Sequence, residues 1–488
     1  MIRRSLHILT KFVICFFAFS SYALTSPNVV LITIDDLNTD LGTYGHPIVK
    51  SPNIDNLARD GIRFDRAYAQ HPQCTPSRSS FLTGLYPEQT GVIENGVHFR
   101  DIIPGVQTLP QRLKENGYFT ARVGKIFHYG VPRDIGTNGL DDPVSWDVVV
   151  NPKGIDKNLE AELEIINPDT SNIGATLSWL SVESEDHEHT DGKVALEAVK
   201  LLHENHPIKT GKPFFVGVGF FRPHVPFIAP SKYFNLYKIE KIEPKLYPSN
   251  DRDDIPLMAL ADRPGQLDLS TQKKQEIIQA YYASVSFVDA QVGIILDALD
   301  ALNLRKNTIV VLMSDHGYHL GQHGLWQKGD LFEGGVRAPL IISSPGNPNN
   351  GDDTLSIIEF VDLYPTIMDL VGLEKPSYLS GESLEPVLQN PKHVIRDSAF
   401  TLASTFKMMA PDRNYKNIMG YTLRTKDYRY TQWGPEGILG TELYDYRKDP
   451  DEHINLSNHK AYEAIRFNLH RVLRSRIEAG RTWVPELQ

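Results

Sequence analysis

The sequence predicts an α/β protein with a large, mostly parallel sheet sandwiched by helices. A smaller C-terminal α+β subdomain with an antiparallel sheet is expected to follow. Three observations lead there. "NVVLITI" (28–34) and "TIVVLMS" (308–314) are continuous apolar, β-branched runs, as expected of strands buried on both faces. Amphipathic helical stretches alternate with such runs, the pattern of a parallel sheet with crossover helices. After about residue 375 the texture changes to alternating aromatic and polar residues, the period of strands with one solvated face. A chain of 488 residues exceeds one ordinary domain, and the change divides it into 24–375 and 376–488.

The first 23 residues stand apart. Arg3, Arg4 and Lys11 precede or begin the apolar run "FVICFFAF", and "SSYA" ends at Ala23 with small residues at the positions signal peptidase reads. This predicts a secretory signal peptide and export to the periplasm or medium. The run is shorter than the roughly 20 residues needed to cross a bilayer, so no membrane anchor is expected. Nor do Phe12, Val13 and Ile14 before Cys15 make a lipobox. Cleavage removes three basic residues and no acidic ones, moving the formal charge from −10 to −13. That balance disfavours nucleic acid as a partner but permits a local basic pocket for a small anion.

Along the mature chain, the strand at 28–34 ends in Asp35-Asp36. "SPNIDNLARDG" reads as a helix with Ser51 as N-cap and Gly61 as C-cap. "TLPQRLKENGY" reads as another, closed by Gly117. Strands are expected at 119–123, 213–219 and 340–343. Val285, Val288, Val292, Ile295, Leu296 and Leu299 mark one face of a helix before the strand at 308–314, which ends in Asp315-His316. Segments 130–190 and 235–270, rich in Pro, Asp and Asn, read as long loops at the mouth of the sheet. In the C-terminal part, "GYTLRTKDYRYTQW" reads as antiparallel strands, "ELYDYRKDPDEHINL" as strand and turn, and 460–479 as helix.

In open α/β sheets, ligands bind outside the carboxyl ends of the strands. Asp35, Asp36, Asp315 and His316 all occupy such ends, so they can converge although nearly the whole domain separates them. Three carboxylates held together repel one another unless a cation lies between them. Oxygen-rich ligation favours calcium or magnesium over zinc, which wants more His or Cys. The bland alternative is that Asp35 and Asp36 only cap the following turn.

With Cys15 leaving in the signal, Cys74 is the single cysteine of the mature chain, either a buried spectator or chemically special. Pro76 suggests that Cys74 lies at or just before a helix N-terminus, where the N–H groups favour an anion. Arg78, four residues on, shares its helix face and suits an oxyanion such as sulfate or phosphate.

The stretch "CTPSRSSFLTG" resembles the signature of the formylglycine-dependent sulfatases, Cys-x-Pro-Ser-Arg followed by Leu-Thr-Gly. "NVVLITIDDL", "SPNIDNLARDGIRFDRAY", "LPQRLKENGYFTARVGKIFH", "FFRPHVPF", "SDHGYHLGQHGLWQK" and "EGGVRAPLI" extend the resemblance over essentially all of the mature chain. "VGKIFH", "RPHVPF" and "MGYTLRTKDYRYTQW" look most like the iduronate-2-sulfatase branch and its bacterial polysaccharide-degrading relatives. The resemblance implies an alkaline-phosphatase-like fold and hydrolysis of sulfate esters of a sulfated polysaccharide or oligosaccharide, a glycosaminoglycan or an algal polymer such as ulvan. It further implies that Cys74 is converted to formylglycine (3-oxoalanine) by a formylglycine-generating or anaerobic sulfatase-maturating enzyme. Asp35, Asp36, Asp315 and His316, with an oxygen of modified Cys74, would hold one Ca2+. On chemistry alone His316 would be placed behind the ligands or in proton transfer, since a hard cation prefers oxygen. Arg78 and Lys125 would stabilise the nucleophile and the sulfate, and Lys328 would bind sulfate oxygens. His224 would protonate the leaving alcohol, and His128 would assist sulfate release.

Other features carry less. His187 and His189 in "ESEDHEHTDG" read as a solvated loop leading into a helix. His319, His323 and Trp326 follow the second acidic cluster, and His323 is placed near the sugar. The tyrosines of "YRYTQW" read as sheet packing, and "NLS" at Asn455 matches a glycosylation sequon. Three alternatives differ in chemistry: a formylglycine-dependent phosphonate monoester hydrolase or phosphodiesterase, a degenerate sulfatase-like binding protein, and a zinc-dependent phosphatase.

Overall fold

The computed structural model describes residues 26–167, 172–404 and 418–481, so the signal segment lies outside the described residues. Along the chain the first strands are β1 (Asn28–Ile34), β2 (Ile62–Tyr68), β3 (Phe119–Gly124), β4 (Val148–Val150), β5 (Glu164–Ile165) and β6 (Ser178–Val182). They are followed by β7 (Phe214–Phe220), β8 (Phe227–Pro230), β9 (Thr308–Ser314), β10 (His319–Leu320), β11 (Trp326–Gln327), β12 (Leu340–Ser343) and β13 (Asp353–Glu359). Eight of these form the central sheet in the order β13-β2-β12-β9-β1-β7-β3-β4.

β1 sits mid-sheet, pairing in parallel with β7 and β9, and every one of its residues is buried. Its side chains alternate between two cores. Val30, Ile32 and Ile34 join one, with the helices Thr190–Glu204 and Thr271–Ala301. Val29 and Leu31 join the other, with the helices Cys74–Thr83, Leu109–Glu115 and Leu363–Leu370. Each such aliphatic side chain contributes about 1.5–3 kcal/mol by leaving water. Two covered faces explain why the strand reads as an unbroken apolar run.

Register fixes what comes next. Ile34 pairs with both Phe220 and Ser314, and Gly124 pairs with Gly219. The residues following β1, β3, β7 and β9 therefore emerge side by side on one edge.

Several expectations are refined. β12 runs antiparallel to both β9 and β2. Its connection from β9 holds the β10–β11 ribbon, a 3-10 turn at Gln322–Gly324 and the short helix Glu333–Val336, with no long crossover helix to reverse the chain. The segment 130–190 is not all loop: β4 extends the sheet edge, and β5 and β6 join β8 in a three-stranded sheet. Ser51 is the N-cap of the helix Pro52–Arg59, but its hydroxyl meets Asp55 and the Gly42 N–H. Asp60 and Asn116 take the C-cap positions, one residue before the glycines.

Beyond residue 375, Leu384, Val387 and Leu388 still pack in the main core. The antiparallel sheet itself consists of β14 (Ser398–Ser404), β15 (Met419–Thr425), β16 (Tyr428–Trp433) and β17 (Thr441–Asp445), in that order. Leu469, Leu473 and Ile477 of the helix Glu463–Gly480 cover one of its faces. A buried ion-pair network ties this sheet to the main body. Glu333 accepts from Arg424 Nε at 3.2 Å, from Tyr68 and Tyr446 hydroxyls, and from Arg429.

Candidate active site

Three strand ends and one helix build the site. Asp35 and Asp36 follow β1, Asp315 and His316 follow β9, and Lys125 follows β3. The helix Cys74–Thr83 begins at Cys74 itself, with Gln73 as N-cap, and all ten of its residues are buried. Pro76 is thus its third residue rather than its first, a place where the missing N–H would have had no intrahelical acceptor.

Arg78 lies at the centre of the charge array. Its Nη2 is 3.1 Å from Asp35 Oδ1 and its Nε 3.0 Å from Asp315 Oδ2. Lys125 Nζ donates to Asp35 Oδ2 at 2.5 Å, and Lys328 Nζ reaches Asp36 Oδ1 and, at 3.2 Å, Cys74 Sγ. Three buried carboxylates therefore face three cations. Burial pushes Asp35 up, but Lys125 and Arg78 outweigh it and hold its carboxyl below the usual range. Burial also opposes the charge on Asp315, and Arg78 wins decisively. Asp36 goes the other way: burial and the neighbouring Asp35 raise it despite Lys328. A carboxylate in that position gains most from a further cation.

The donor set suits one. Ligand atoms of Asp35, Asp36, Cys74 and His224 lie within 4.8 Å of one another, as do those of Cys74, Asp315 and His316. Three carboxylates are the chemistry of a hard divalent ion. His316 Nδ1 faces Gly317 O at 2.9 Å, which assigns the proton to Nδ1 and turns the Nε2 lone pair toward the cluster. That Nε2 is 3.4 Å from Cys74 Sγ and 3.5 Å from Asp36 Oδ1. Burial lowers the pKa of His316, keeping the imidazole in its ligating form.

His224 sits between the cis bonds Arg222-Pro223 and Val225-Pro226. Asp191 holds that turn by accepting from the N–H groups of Phe221 and Arg222. His224 Nδ1 meets Val225 O at 2.7 Å, and Nε2 is 3.9 Å from Asp36 Oδ2. Burial and then Lys328 push its pKa well down. His128 also feels Lys125 and Asp35, its Nδ1 has no partner, and its ring opens onto a cleft of about 650 Å³. Asn95, Arg133, Asp134 and Asn138 line the same cleft, three of them from the 130–190 segment expected at the mouth. The Cys74 thiol is 1% exposed, and burial together with Asp35 pushes its pKa far up, so it is held protonated.

The structure thus gathers Asp35, Asp36, Cys74, Arg78, Lys125, His128, His224, Asp315, His316 and Lys328 at one end of the sheet. His323 makes its contacts elsewhere: its Nδ1 pairs with Asp251 at 3.0 Å and its ring stacks on Phe332. Of the two histidines read as a solvated loop, His187 is exposed but His189 is buried, packed on Phe287 and bonded to Ser184. Asn455 donates its amide to Asp254 O and Thr441 O. Supporting residues escaped the sequence. Tyr281 donates to Asp36 O, and Ser314 bonds Ile34 O and His316 O, fixing the left-handed turn at Asp36 (φ 62°). Inside apolar runs, nothing marks a lone hydroxyl as aimed at a catalytic turn.

Fold and site together define a hydrolase of oxyanion esters on an alkaline-phosphatase-like scaffold. The Sulfatase family model matches residues 27–373, and the model for the N-sulphoglucosamine sulphohydrolase C-terminal region matches 321–479. The iduronate 2-sulfatase of Mus musculus is 32% identical, covering 91% of this chain and 93% of its own. A sulfatase of Formosa agariphila is 31% identical over 94% of this chain and 86% of its own. Among solved structures, the phosphonate monoester hydrolase of Agrobacterium radiobacter superposes with a TM-score of 0.74 at 24% identity, over 93% of this chain and 96% of that one. The chain belongs to the sulfatase family, and it is a sulfuric ester hydrolase.

Proposed function

We propose that this sulfatase is exported and removes sulfate esters from a sulfated polysaccharide or oligosaccharide, of glycosaminoglycan or algal type. The observation that carries the reading is the convergence of Cys74 with three carboxylates, three cations and two imidazoles. A protonated, buried thiol is a poor nucleophile, which supports residue 74 as a precursor of formylglycine. The relative named for iduronate supports a sugar substrate. Arg3, Arg4 and the apolar run behind them support export.

Asp35, Asp36, Asp315, His316 and an oxygen on residue 74 would hold calcium. Formylglycine would supply the nucleophile there, and calcium positive charge for the sulfate oxygens. The remaining work falls to the chain's own side chains. Arg78 and Lys125 keep the carboxylates ionised and in place. Lys328, beside both Asp36 and residue 74, presents its ammonium to the sulfate oxygens. Burial opposes a charge on Lys328, yet the Asp36 carboxylate holds it protonated. His224 gives its proton to the departing sugar oxygen. The negative charge of an arriving ester works against the burial that holds this imidazole neutral. His128, at the cleft, assists release of sulfate.

A panel of defined sulfated oligosaccharides, scored by position of desulfation, tests this reading. Intact mass after co-expression with a maturating enzyme tests residue 74; an unmodified Cys74 in active protein would overturn it. The likeness to a phosphonate monoester hydrolase favours one second reading, hydrolysis of phosphonate or phosphate diesters. Parallel kcat/KM values on sulfate and phosphonate esters separate the two.

A further inference from the structure

The guanidinium of Arg263 has no carboxylate within ion-pairing distance among the described residues. Half-buried Arg112 and Arg337 share this lack of an ion pair, each donating to a backbone carbonyl, but the fully buried arginines do not. Arg78, Arg122, Arg222, Arg424 and Arg429 are all buried, and each pairs with a carboxylate. Arg263 instead meets only neutral acceptors: Nη1 donates to Ala175 O at 3.2 Å and Gln327 Oε1 at 2.9 Å, and Nη2 to Lys328 O at 2.9 Å. Its Nε is buried and has no partner. Three bonds use three of the five N–H groups of the fork, leaving Nε–H and one N–H on Nη2.

Its position is informative. The carbonyl it holds belongs to Lys328, whose ammonium reaches Cys74 Sγ. Arg263 is therefore one lysine side chain away from the reacting centre. Tyr318, its ring stacked on Tyr281, also has a buried hydroxyl without a partner. Asp36 and Arg263 are the charges Tyr318 feels most strongly. Gln327 and Ala175 brace the guanidinium from two other segments, so its direction is fixed. A half-buried cation without a counter-ion is costly, and burial indeed disfavours its charge. A fixed fork with free N–H groups suits a planar or tetrahedral oxyanion brought by a ligand.

We propose that Arg263 receives a second anionic group on the sugar that carries the scissile sulfate, a carboxylate or another sulfate. The proposal rests on the sulfatase reading above and adds a specificity residue to it.

The test uses the mature full-length enzyme, wild type and Arg263→Ala, on four substrates. These are a sulfated uronate disaccharide, its carboxyl-reduced analogue, a disulfated sugar without carboxylate, and 4-nitrophenyl sulfate. The expected result is a wild-type preference for an anionic sugar over the carboxyl-reduced one that falls at least tenfold in the variant, mainly through KM. Tenfold corresponds to about 1.4 kcal/mol. A loss confined to the uronate identifies a carboxylate site, and a loss confined to the disulfated sugar a sulfate site. Arg263→Lys, which keeps the charge without the fork, should recover part of the preference and serves if the alanine variant does not fold. A preference ratio within threefold of wild type overturns the proposal. So does an equal proportional loss on 4-nitrophenyl sulfate, which would mean that Arg263 only props Lys328. Failure of the wild type on every sulfate ester would instead overturn the sulfatase reading.

Discussion

His316 Nε2 lies 3.4 Å from Cys74 Sγ, although 242 residues separate them in the chain. The contact joins the end of β9 to the first turn of a buried helix. Around it Asp35, Asp36 and Asp315 each pair with Arg78, Lys125 or Lys328.

Cys74→Ala should abolish sulfate release, by at least about 1000-fold in kcat, because no other side chain at the centre can form the covalent ester. Thermal unfolding should stay within a few degrees of wild type. Steady-state assay and circular dichroism of the same preparation check both, and substantial remaining turnover would sink the assignment of residue 74.

His224→Gln should depend on the leaving group. A sugar alkoxide needs a proton and 4-nitrophenolate does not, so kcat should fall about 100-fold on sugar sulfates and much less on the aryl ester. An equal fall on both would show that the imidazole only shapes the pocket.

Chelation should lower both activity and stability if the carboxylate cluster holds calcium. A ligand at about 100 times its Kd stabilises by about 2.7 kcal/mol, so Tm should drop by several degrees with a chelator and return with calcium. Recovery with zinc but not calcium would point to a different ion.

Acid stability should report on Glu333, four-fifths buried between the main body and the C-terminal sheet. Burial pushes its carboxyl up, but Arg424 and Arg429 bring it from the ordinary 4.5 down to about 2. A lowered folded-state pKa stabilises above 4.5, and that contribution is lost as pH falls toward 2. The shift corresponds to up to about 3 kcal/mol. Glu333→Gln should lower Tm at neutral pH and flatten its decline across that window; parallel Tm–pH curves for both proteins would contradict the assignment.

What could be read beforehand follows from physical periodicity. β1 and β9 are covered on both faces, so their apolar runs announced them, and the acidic pairs at their ends were placed correctly. β2, "IRFDRAY", alternates buried and half-buried residues and carries two arginines, which hid a central strand. β4 hid in a segment whose prolines and aspartates spoke for loops. The antiparallel course of β12 depends on a long connection whose path no local pattern encodes. At the site, Cys74, Arg78 and the strand-end acids were legible because their spacing has chemical meaning. Tyr281 was not, since it acts through a carbonyl oxygen that only the fold brings near. For His323, the bond to Asp251, 72 residues away, is a contact that no local pattern encodes.

The depth of Cys74 sets an order of events. With the thiol 1% exposed and its helix buried end to end, no second protein can reach that sulfur once the sheet has closed over it. If residue 74 is converted as proposed, the maturating enzyme would have to meet residues 71–84 before folding, and a molecule that folded first would keep its thiol. Presenting the unmodified chain to that enzyme in native and in unfolded form, and weighing both, would reveal the deadline: conversion of the folded protein at the same rate would show there is none.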